Sequence, residues 1–323
     1  MSSSLEVFIT FVIGGWVVHR GMRAAEDSRG GLIQSVDGAA QLYYQESGEG
    51  PALIAPGHLF LHESLAPLTD EYKLVSYDMR NRGRSSAVGP EASLTIQGDV
   101  EDLETVRHHR GIDQFTAVGY SYLGLMVILY AIRSPQHVDR IVQLGPIPPR
   151  FGTEYPPDLR ADDLGGVPDP VEMAKLDALG KEGFGESHPK EYCEKRWAVE
   201  RFKLVGDPRN VDRLGNGWCE LPNERPSALS RHFRRLFPSI MDLRVEPEDL
   251  QRVTVPVLTI HGTRDRNAPY GGGVDWARML PNARLLTVQG GAHQSFCEYP
   301  EIVLPAIRTF LGGDWPKDAK IVR

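Results

Sequence analysis

Residues 119–124 read GYSYLG, and they stand between the apolar run FTAV (115–118) and the apolar run LMVILYAI (125–132). The first run is typical of a buried strand, and the second is typical of a helix. Ser121 therefore falls on a tight turn between the two, with a glycine two residues before it. Either the turn simply contains a serine, or it holds the serine hydroxyl away from the sheet as a nucleophile. The rest of the sequence decides between these interpretations.

Strand-like and helix-like segments alternate along most of the chain. Strands are predicted within 39–50, 51–57, 72–78, 115–121, 138–146, 253–262 and 283–290. Helices are predicted within 95–112, 122–135, 272–280 and 300–313. Because strands that alternate with helices form a sheet covered on both faces, the sequence predicts an α/β fold with a mostly parallel central sheet.

The alternation stops at Pro146. A stretch rich in proline and glycine follows, and the residues from about 169 to 245 have helical patterns without strand candidates of comparable strength. We therefore predict a helical cap inserted into the α/β domain. The predicted division is an N-terminal extension at 1–32, a first core part at 33–148, the cap at 149–248 and a second core part at 249–323.

Two further residues complete a chemical constellation with Ser121. Asp265 follows the strand-like segment VLTIHG, and His293 follows the strand-like segment LLTVQG. In a parallel sheet the loops after both strands leave the same carboxyl edge as the serine turn. A serine hydroxyl needs a base, and the base needs an orienting acid. The order serine, acid, histidine fits an insertion between nucleophile and acid, so the sequence predicts a Ser-Asp-His triad.

An oxyanion hole requires backbone N–H groups near the nucleophile. Tyr122 directly follows the serine and supplies one candidate N–H. The segment LIAPGHLF (53–60) ends an early strand with a glycine turn, and it supplies the N–H of His58, or alternatively that of Leu59. The side chain of His58 is predicted either to line the pocket or to be merely exposed.

These segments resemble the α/β-hydrolase superfamily over residues 33 to 313. The segments PGH, YDMRNRGRSS, GYSYLG, HGTRD and GGAH occur in the order of that family, and they are most similar to capped proline-iminopeptidase-like and epoxide-hydrolase-like members. The resemblance implies the same roles for Ser121, Asp265 and His293. Leu123 replaces a small residue usual in the family, which implies either a looser or a slightly re-aimed turn, with Gly124 relieving part of the crowding.

Several residues of the cap and of the loops beside it bear on substrate choice. Leu59 is predicted to contact substrate. Aromatic residues of the cap either form a lining over an apolar substrate or pack between helices, and packing is the expectation for most of them. They are Tyr192, Trp197, Phe202, Trp218, Phe233 and Phe237, of which Trp218 is the candidate for substrate contact. Glu220 and Glu224 are candidates to bind a substrate ammonium group, as cap carboxylates do in iminopeptidases, although surface solvation explains either one alone. The HGGP segment typical of iminopeptidases is absent. Asp78 and Arg82 are interpreted as residues that fix the turn after their strand.

Composition excludes several classes. The formal net charge of −7 argues against a nucleic-acid-binding surface, which needs a basic stripe. The sequence has no metal-ligand cluster, dinucleotide-binding motif or Walker loop, so neither a metal nor a cofactor is predicted. The expected partner is a small-molecule substrate, and the sequence leaves the oligomeric state undecided.

Two features bear on location. The apolar stretch Leu5 to Val18 contains Glu6 and is shorter than the roughly 20 residues that span a bilayer, so we predict a peripheral extension with membrane association as the alternative. The three cysteines, Cys193, Cys219 and Cys297, show no CxxC spacing. Free thiols in a reducing compartment are expected, a Cys193–Cys219 pair being the alternative in an oxidising one. A cytoplasmic location is predicted.

The sequence thus predicts a serine hydrolase that works by acyl transfer on small esters or lactones. A peptidase acting on a free prolyl N-terminus is the second possibility. A third belongs to another class, a ligand-binding receptor on the same fold with little turnover.

Overall fold

The computed structural model describes residues 29–89, 94–161, 168–215 and 217–323. The apolar N-terminal stretch discussed above lies outside these residues. The described part contains one sheet of eight strands in the order β1-β2-β4-β3-β5-β6-β7-β8. The strands are β1 Arg29–Gln34, β2 Gln41–Ser47, β3 Ala52–Pro56, β4 Lys73–Tyr77, β5 Phe115–Tyr120, β6 Val138–Leu144, β7 Val257–Gly262 and β8 Ala283–Val288.

The sheet is antiparallel only at one edge, where β1 pairs with β2 and β2 pairs with β4. All remaining pairs are parallel. The prediction of a mostly parallel sheet is therefore confirmed. Strand β1 was not predicted; it begins at Arg29, inside the segment that the sequence assigned to the N-terminal extension.

Helices cover both faces of the sheet. They are α1 His58–Leu65, α2 Ile96–His109, α3 Tyr122–Arg133, α9 Tyr270–Met279, α10 Ser295–Glu298 and α11 Pro300–Leu311. Successive strand residues alternate between two buried clusters: Ile54 joins the cluster that contains α2, α3 and α9, whereas Leu53 and Ala55 join the cluster that contains α1 and α11. Burial on both faces explains why the central strands read as continuous apolar runs.

Among the described residues between β6 and β7, the regular secondary structure is entirely helical. The α-helices are α4 Pro170–Lys181, α5 Phe184–Ser187, α6 Pro189–Glu200, α7 Pro226–Met241 and α8 Pro247–Leu250. Short 3-10 helices lie at Pro157–Leu159, Arg201–Leu204, Pro208–Arg213, Gly217–Glu220 and Pro222–Glu224. We call this insertion the cap.

The cysteines differ from the expectation of free thiols. Cys193 and Cys219 form a disulfide with their Cα atoms 5.6 Å apart, and it joins α6 to the 3-10 helix Gly217–Glu220. Cys297 is a free thiol. Spacing along the chain does not reveal this pair, because the cap brings together residues separated by 26 positions.

Candidate active site

The turn between β5 and α3 has the strained backbone of a nucleophile-bearing bend. Ser121 adopts φ 58° and ψ −125°, a conformation that non-glycine residues rarely take. A Cβ atom on Gly119 would lie 2.4 Å from the carbonyl oxygen of Leu123, and one on Gly124 would lie 2.8 Å from Cβ of Pro146. The two glycines of GYSYLG are therefore required by close packing around the serine.

Leu123 occupies the position where the family resemblance implied a small residue. It is buried, and a Cβ on Gly57 would lie 3.0 Å from its Cδ1 atom. The leucine thus packs against the glycine turn at the start of α1. That turn needs glycine for a second reason, since Gly57 has a left-handed φ of 86°.

Ser121, His293 and Asp265 meet at the carboxyl edge of the sheet. The Nε2 atom of His293 lies 3.1 Å from Oγ of Ser121, and its Nδ1 atom lies 2.8 Å from Oδ2 of Asp265. Asp265 and His293 are both almost fully buried. A histidine with a carboxylate on Nδ1 donates there and presents the Nε2 lone pair to the serine hydroxyl.

Asp265 is held by more than its contact with the histidine. Its Oδ1 atom accepts hydrogen bonds from the backbone N–H groups of Asn267 and Ala268, both at 2.8 Å. His261, on β7, places Nε2 3.2 Å from Oδ2 of Asp265 and 2.9 Å from the carbonyl oxygen of Ala268. Burial would raise the pKa of Asp265, but the adjacent His293 and His261 outweigh burial and hold that pKa well below its usual range.

Two helix N-termini lie beside the serine. Tyr122 begins α3 and His58 begins α1, so their backbone N–H groups have no intrahelical acceptor. The N–H of Leu59, by contrast, donates to Oδ1 of Asp78 at 3.2 Å. The alternative oxyanion donor considered from the sequence is therefore already bonded within the protein.

The side chain of His58 neither lines the pocket nor is exposed, contrary to both sequence interpretations. It is buried, and its Nδ1 atom lies 2.8 Å from Oγ of Ser76, which is also 2.8 Å from Nδ1 of His62. Its Nε2 atom lies 3.1 Å from Nη1 of Arg84. Burial, with His62 and Arg84 nearby, lowers the pKa of His58 to about 3. The side chain anchors the first turn of α1 to β4.

A cavity of about 600 Å³ opens over Ser121 and His293. Most of its lining is apolar or aromatic: Leu59, Phe60, Met79, Tyr120, Tyr122, Leu123, Ile147, Phe151, Trp197, Leu204, Trp218, Leu229, Phe233 and Phe237. The prediction that Trp218 and Leu59 face the pocket agrees with this lining. Two aromatic residues of the cap that the sequence also suggested, Tyr192 and Phe202, are not among the lining residues.

The two candidate ammonium-binding carboxylates have different surroundings. Glu220 is exposed and pairs with Lys190 at 2.6 Å, away from the cavity. Glu224 lines the cavity but is buried against Arg82, whose Nε and Nη2 atoms lie 2.9 and 2.8 Å from its two oxygens. The N–H of Gly83 donates to the same carboxylate at 2.7 Å. Both oxygens of Glu224 are therefore already bonded.

Arg82 does more than fix the turn after its strand, which is the role predicted from the sequence. It joins the loop after β4 to the cap through Glu224, and its guanidinium carbon lies 5.2 Å from the ring centre of Phe233 and 5.7 Å from that of Phe60. Asp78 fixes its turn, where Oδ2 accepts the N–H of Arg84 at 2.9 Å, and it also joins the turn to α1, because Oδ1 accepts the N–H of Leu59 at 3.2 Å.

Glu298 is a buried residue that the sequence reasoning missed. Its Oε1 atom accepts the N–H groups of Gly206 and Asp207 at 2.9 and 3.0 Å, and its Oε2 atom accepts the N–H of Ala292 at 2.8 Å. The carboxylate thus joins the cap to the residue before His293. No local pattern marks this role, since its partners in the cap lie 91 and 92 positions away.

Comparison with known proteins agrees with this architecture. Residues 51–187 match a family model described as alpha/beta hydrolase fold, and residues 241–320 match one described as TAP-like protein. A non-heme chloroperoxidase of Streptomyces lividans is 37% identical over 249 residues, which cover 76% of this chain and 83% of that protein. The chain therefore belongs to the α/β-hydrolase family.

Two further similarities bear on the type of enzyme. The proline iminopeptidase PfmaB of Pestalotiopsis fici is 24% identical over 259 residues, covering 77% of this chain and 85% of that protein. The crystal structure of a serine hydrolase from the polyaromatic-hydrocarbon-degrading bacterium Cycloclasticus zankles shares the fold with a TM-score of 0.66 and 17% identity, covering 89% of this chain and 99% of that one. The protein is an enzyme of the α/β-hydrolase class.

Proposed function

We propose that this enzyme is a serine hydrolase that cleaves small esters or lactones by acyl transfer through Ser121. The observation that carries the proposal is the continuous chain of contacts from Ser121 Oγ through His293 to Asp265, at the floor of the cavity. Nucleophile, base and orienting acid lie in hydrogen-bond order, which is the arrangement that activates a serine hydroxyl.

The proposed reaction has two halves. His293 takes the proton of Ser121 as the hydroxyl attacks the carbonyl carbon, and Asp265 stabilises the imidazolium that forms. The N–H groups of Tyr122 and His58 donate to the tetrahedral oxyanion. His293 then protonates the leaving alcohol, which leaves an acyl-enzyme. Water deprotonated by the same histidine attacks this ester and releases the acid.

The lining of the cavity supports an ester or lactone over a peptide with a free amino terminus. Its volume of about 600 Å³ and its mainly apolar lining suit a small uncharged substrate. The carboxylates in the lining, Asp78, Glu200 and Glu224, all accept hydrogen bonds from protein groups. A substrate ammonium group could pair with one of these carboxylates only by replacing its hydrogen bonds within the protein, and leaving those buried donors unpaired costs free energy.

A prolyl aminopeptidase is the second candidate, and one observation favours it: PfmaB, a relative across most of the chain, carries that name. A receptor with little turnover is the third candidate, because a cavity over a serine triad also suits a ligand that is bound without being hydrolysed.

One preparation distinguishes these functions. We expect cleavage of p-nitrophenyl acetate and little release of p-nitroaniline from prolyl p-nitroanilide, with labelling of Ser121 by a fluorophosphonate. Ser121→Ala should lower ester turnover by at least about 10³-fold while the protein stays folded, because the triad acts as a unit. A higher kcat/KM for the prolyl amide, abolished by Glu224→Gln, would establish the peptidase. Labelling without turnover of either substrate would favour the receptor.

The compartment and partners remain at the level of a prediction. No helix among the described residues is long and apolar enough to cross a membrane. The predicted cytoplasmic location goes with free thiols, and the Cys193–Cys219 disulfide weighs against it, because disulfides rarely persist in reducing compartments. The cavity supports a small-molecule substrate as a partner.

A further inference from the structure

A short segment of the cap crosses one side of the cavity and has two buried anchors, besides the exposed ion pair of Glu220 with Lys190. We call residues 217–225 the strap; it contains the 3-10 helices Gly217–Glu220 and Pro222–Glu224. Cys219 and Trp218 at one end line the cavity, as does Glu224 at the other. The strap therefore forms part of the cavity wall, and its anchors determine where that wall stands.

The first anchor is covalent. The disulfide from Cys219 to Cys193 ties the strap to α6, and both cysteines are buried. The indole of Trp218, the residue beside Cys219, lies with its ring centre 4.3 Å from that of Trp197 on α6. The same indole lies 4.8 Å from the ring of Phe60 on α1, two residues beyond the proposed oxyanion donor. The disulfide thus holds Trp218 between the cap and the core.

The second anchor is electrostatic and independent of the first. Glu224 forms the buried two-point ion pair with Arg82, and Asn223 donates from Nδ2 to the carbonyl oxygen of Ser85 at 2.9 Å. These contacts attach the far end of the strap to the loop after β4. Breaking the disulfide therefore leaves the strap docked at Glu224. The end that carries Trp218 is then joined to α6 by ring contacts and by the exposed ion pair of Glu220 with Lys190, and an exposed pair stabilises little.

We propose that the Cys193–Cys219 disulfide determines which acyl groups the enzyme accepts, by fixing Trp218 as the specificity-determining wall of the cavity. The inference rests on the proposed hydrolase function. With the disulfide formed, the indole limits the space above Ser121 and favours short acyl groups. With the disulfide reduced, Trp218 moves with the released end of the strap, and longer acyl groups fit at the expense of the close packing around short ones.

The reduction can be made with a soluble phosphine. The phosphorus atom supplies two electrons to the S–S bond, water supplies the oxygen that leaves as phosphine oxide, and two protons complete the thiols of Cys193 and Cys219. The bonds broken are S–S and the two O–H bonds of water, and the bonds formed are P=O and two S–H. Cys297 already carries a thiol and does not take part.

The test compares the full-length enzyme before and after phosphine treatment, using p-nitrophenyl acetate and p-nitrophenyl octanoate. Intact mass and thiol titration under denaturing conditions report the redox state. We expect the ratio of kcat/KM for octanoate over acetate to rise at least about fivefold on reduction, a moderate effect for a change of fit in an apolar pocket. Cys297→Ser, the matched control, should show the same rise as the wild type.

Two variants distinguish the effect of the Trp218 side chain from the effect of the Cys193–Cys219 disulfide. Trp218→Ala should show the raised ratio while oxidised and little further response to the phosphine. The double variant Cys193→Ser/Cys219→Ser should behave as the reduced wild type; should it fail to fold, the phosphine-treated wild type gives the same information on a protein that folded with its disulfide.

Three results would count against the inference. Three titratable thiols in the protein as purified without reductant would show that the disulfide does not form. An unchanged ratio in protein whose mass shows complete reduction would overturn the role of the disulfide alone, leaving the hydrolase function intact. No turnover of either ester by the oxidised protein would overturn the proposed function and this inference together.

Discussion

At the scale of single residues, the site depends on side chains that do not touch substrate. Glu298 is fully buried and accepts backbone N–H groups from both the cap and the histidine loop. The N–H of Ala292 belongs to the peptide next to His293, so the carboxylate limits how far the imidazole can shift. We regard Glu298 as a positioning residue for the proposed reaction.

Glu298→Gln should lower kcat about ten- to hundredfold with little change in KM. In the variant the amide NH₂ would face a backbone N–H that donates to a carboxylate oxygen in the wild type. That N–H would lose its acceptor, and an unsatisfied buried donor costs roughly 1–3 kcal/mol. Steady-state kinetics on p-nitrophenyl acetate gives both constants. Glu301→Gln is the matched control, because Glu301 is exposed and its contact with Arg213 is 3.5 Å long; it should stay near the wild type. Equal activity of both variants would contradict the role of Glu298.

At the scale of secondary structure, α7 carries a buried histidine of unusual surroundings. His232 is 1% exposed, and neither ring nitrogen has a hydrogen-bond partner among the described residues. Burial first, and then the nearby Arg82 and Arg235, lower the pKa of His232 to about 3. The helix thus buries a neutral imidazole whose polar atoms make no hydrogen bond within the part of the chain that the structure describes.

The sign of the pH effect follows from linkage. In the unfolded chain His232 binds a proton near its ordinary pKa of 6.5, whereas in the folded chain it binds one only near pH 3. Between those values the unfolded state holds more protons, so this histidine lowers stability as the pH falls from 6.5, by up to about 1.4 kcal/mol per pH unit. His58, whose pKa is also lowered to about 3, acts in the same direction.

His232→Met should therefore flatten the loss of stability on acidification and raise the free energy of unfolding at pH 5 more than at pH 7.5. Methionine keeps a similar volume without polar atoms that need partners. Urea unfolding at the two pH values measures the difference. His108→Met, on the exposed face of α2, is the control and should leave the pH dependence as in the wild type. A parallel shift at both pH values would contradict the titration of His232.

At the scale of the whole molecule, the described fold begins with β1 at Arg29. Deleting residues 1–22 leaves that strand and its antiparallel pairing with β2 intact. We therefore expect the truncated protein to keep kcat/KM within about twofold of the full chain, since the cavity lining and the sheet of the described structure are built from residues at or beyond Arg29. Activity in soluble and membrane fractions of the expression host checks this. Full-length protein recovered only with membranes would contradict a peripheral role for the stretch Leu5 to Val18.

Much of the architecture could be predicted because its signals are local. Apolar runs of strand length and the helical patterns between them indicated the parallel strands from β3 to β8 and the helices α2, α3, α9 and α11. Helix α1 and strand β1 were missed. Strand β1 contains two glycines and four exposed positions, so it lacks an apolar run, and α1 is short.

The sequence by itself determined which side chains gather at the edge of the sheet. Ser121, Asp265 and His293 follow three strands that run parallel, and parallel strands end at one edge, so chain order alone predicted their meeting.

Only the tertiary structure decided which distant groups pair around that edge. Arg82 and Glu224 are 142 positions apart, and Cys193 pairs with Cys219 across a separation of 26. No periodicity encodes such pairs, because each depends on how the cap docks against the core rather than on the conformation of its own segment. The same packing turned Glu224 from a candidate ligand for substrate ammonium into a buried partner of Arg82, and it made a cavity wall of Trp218.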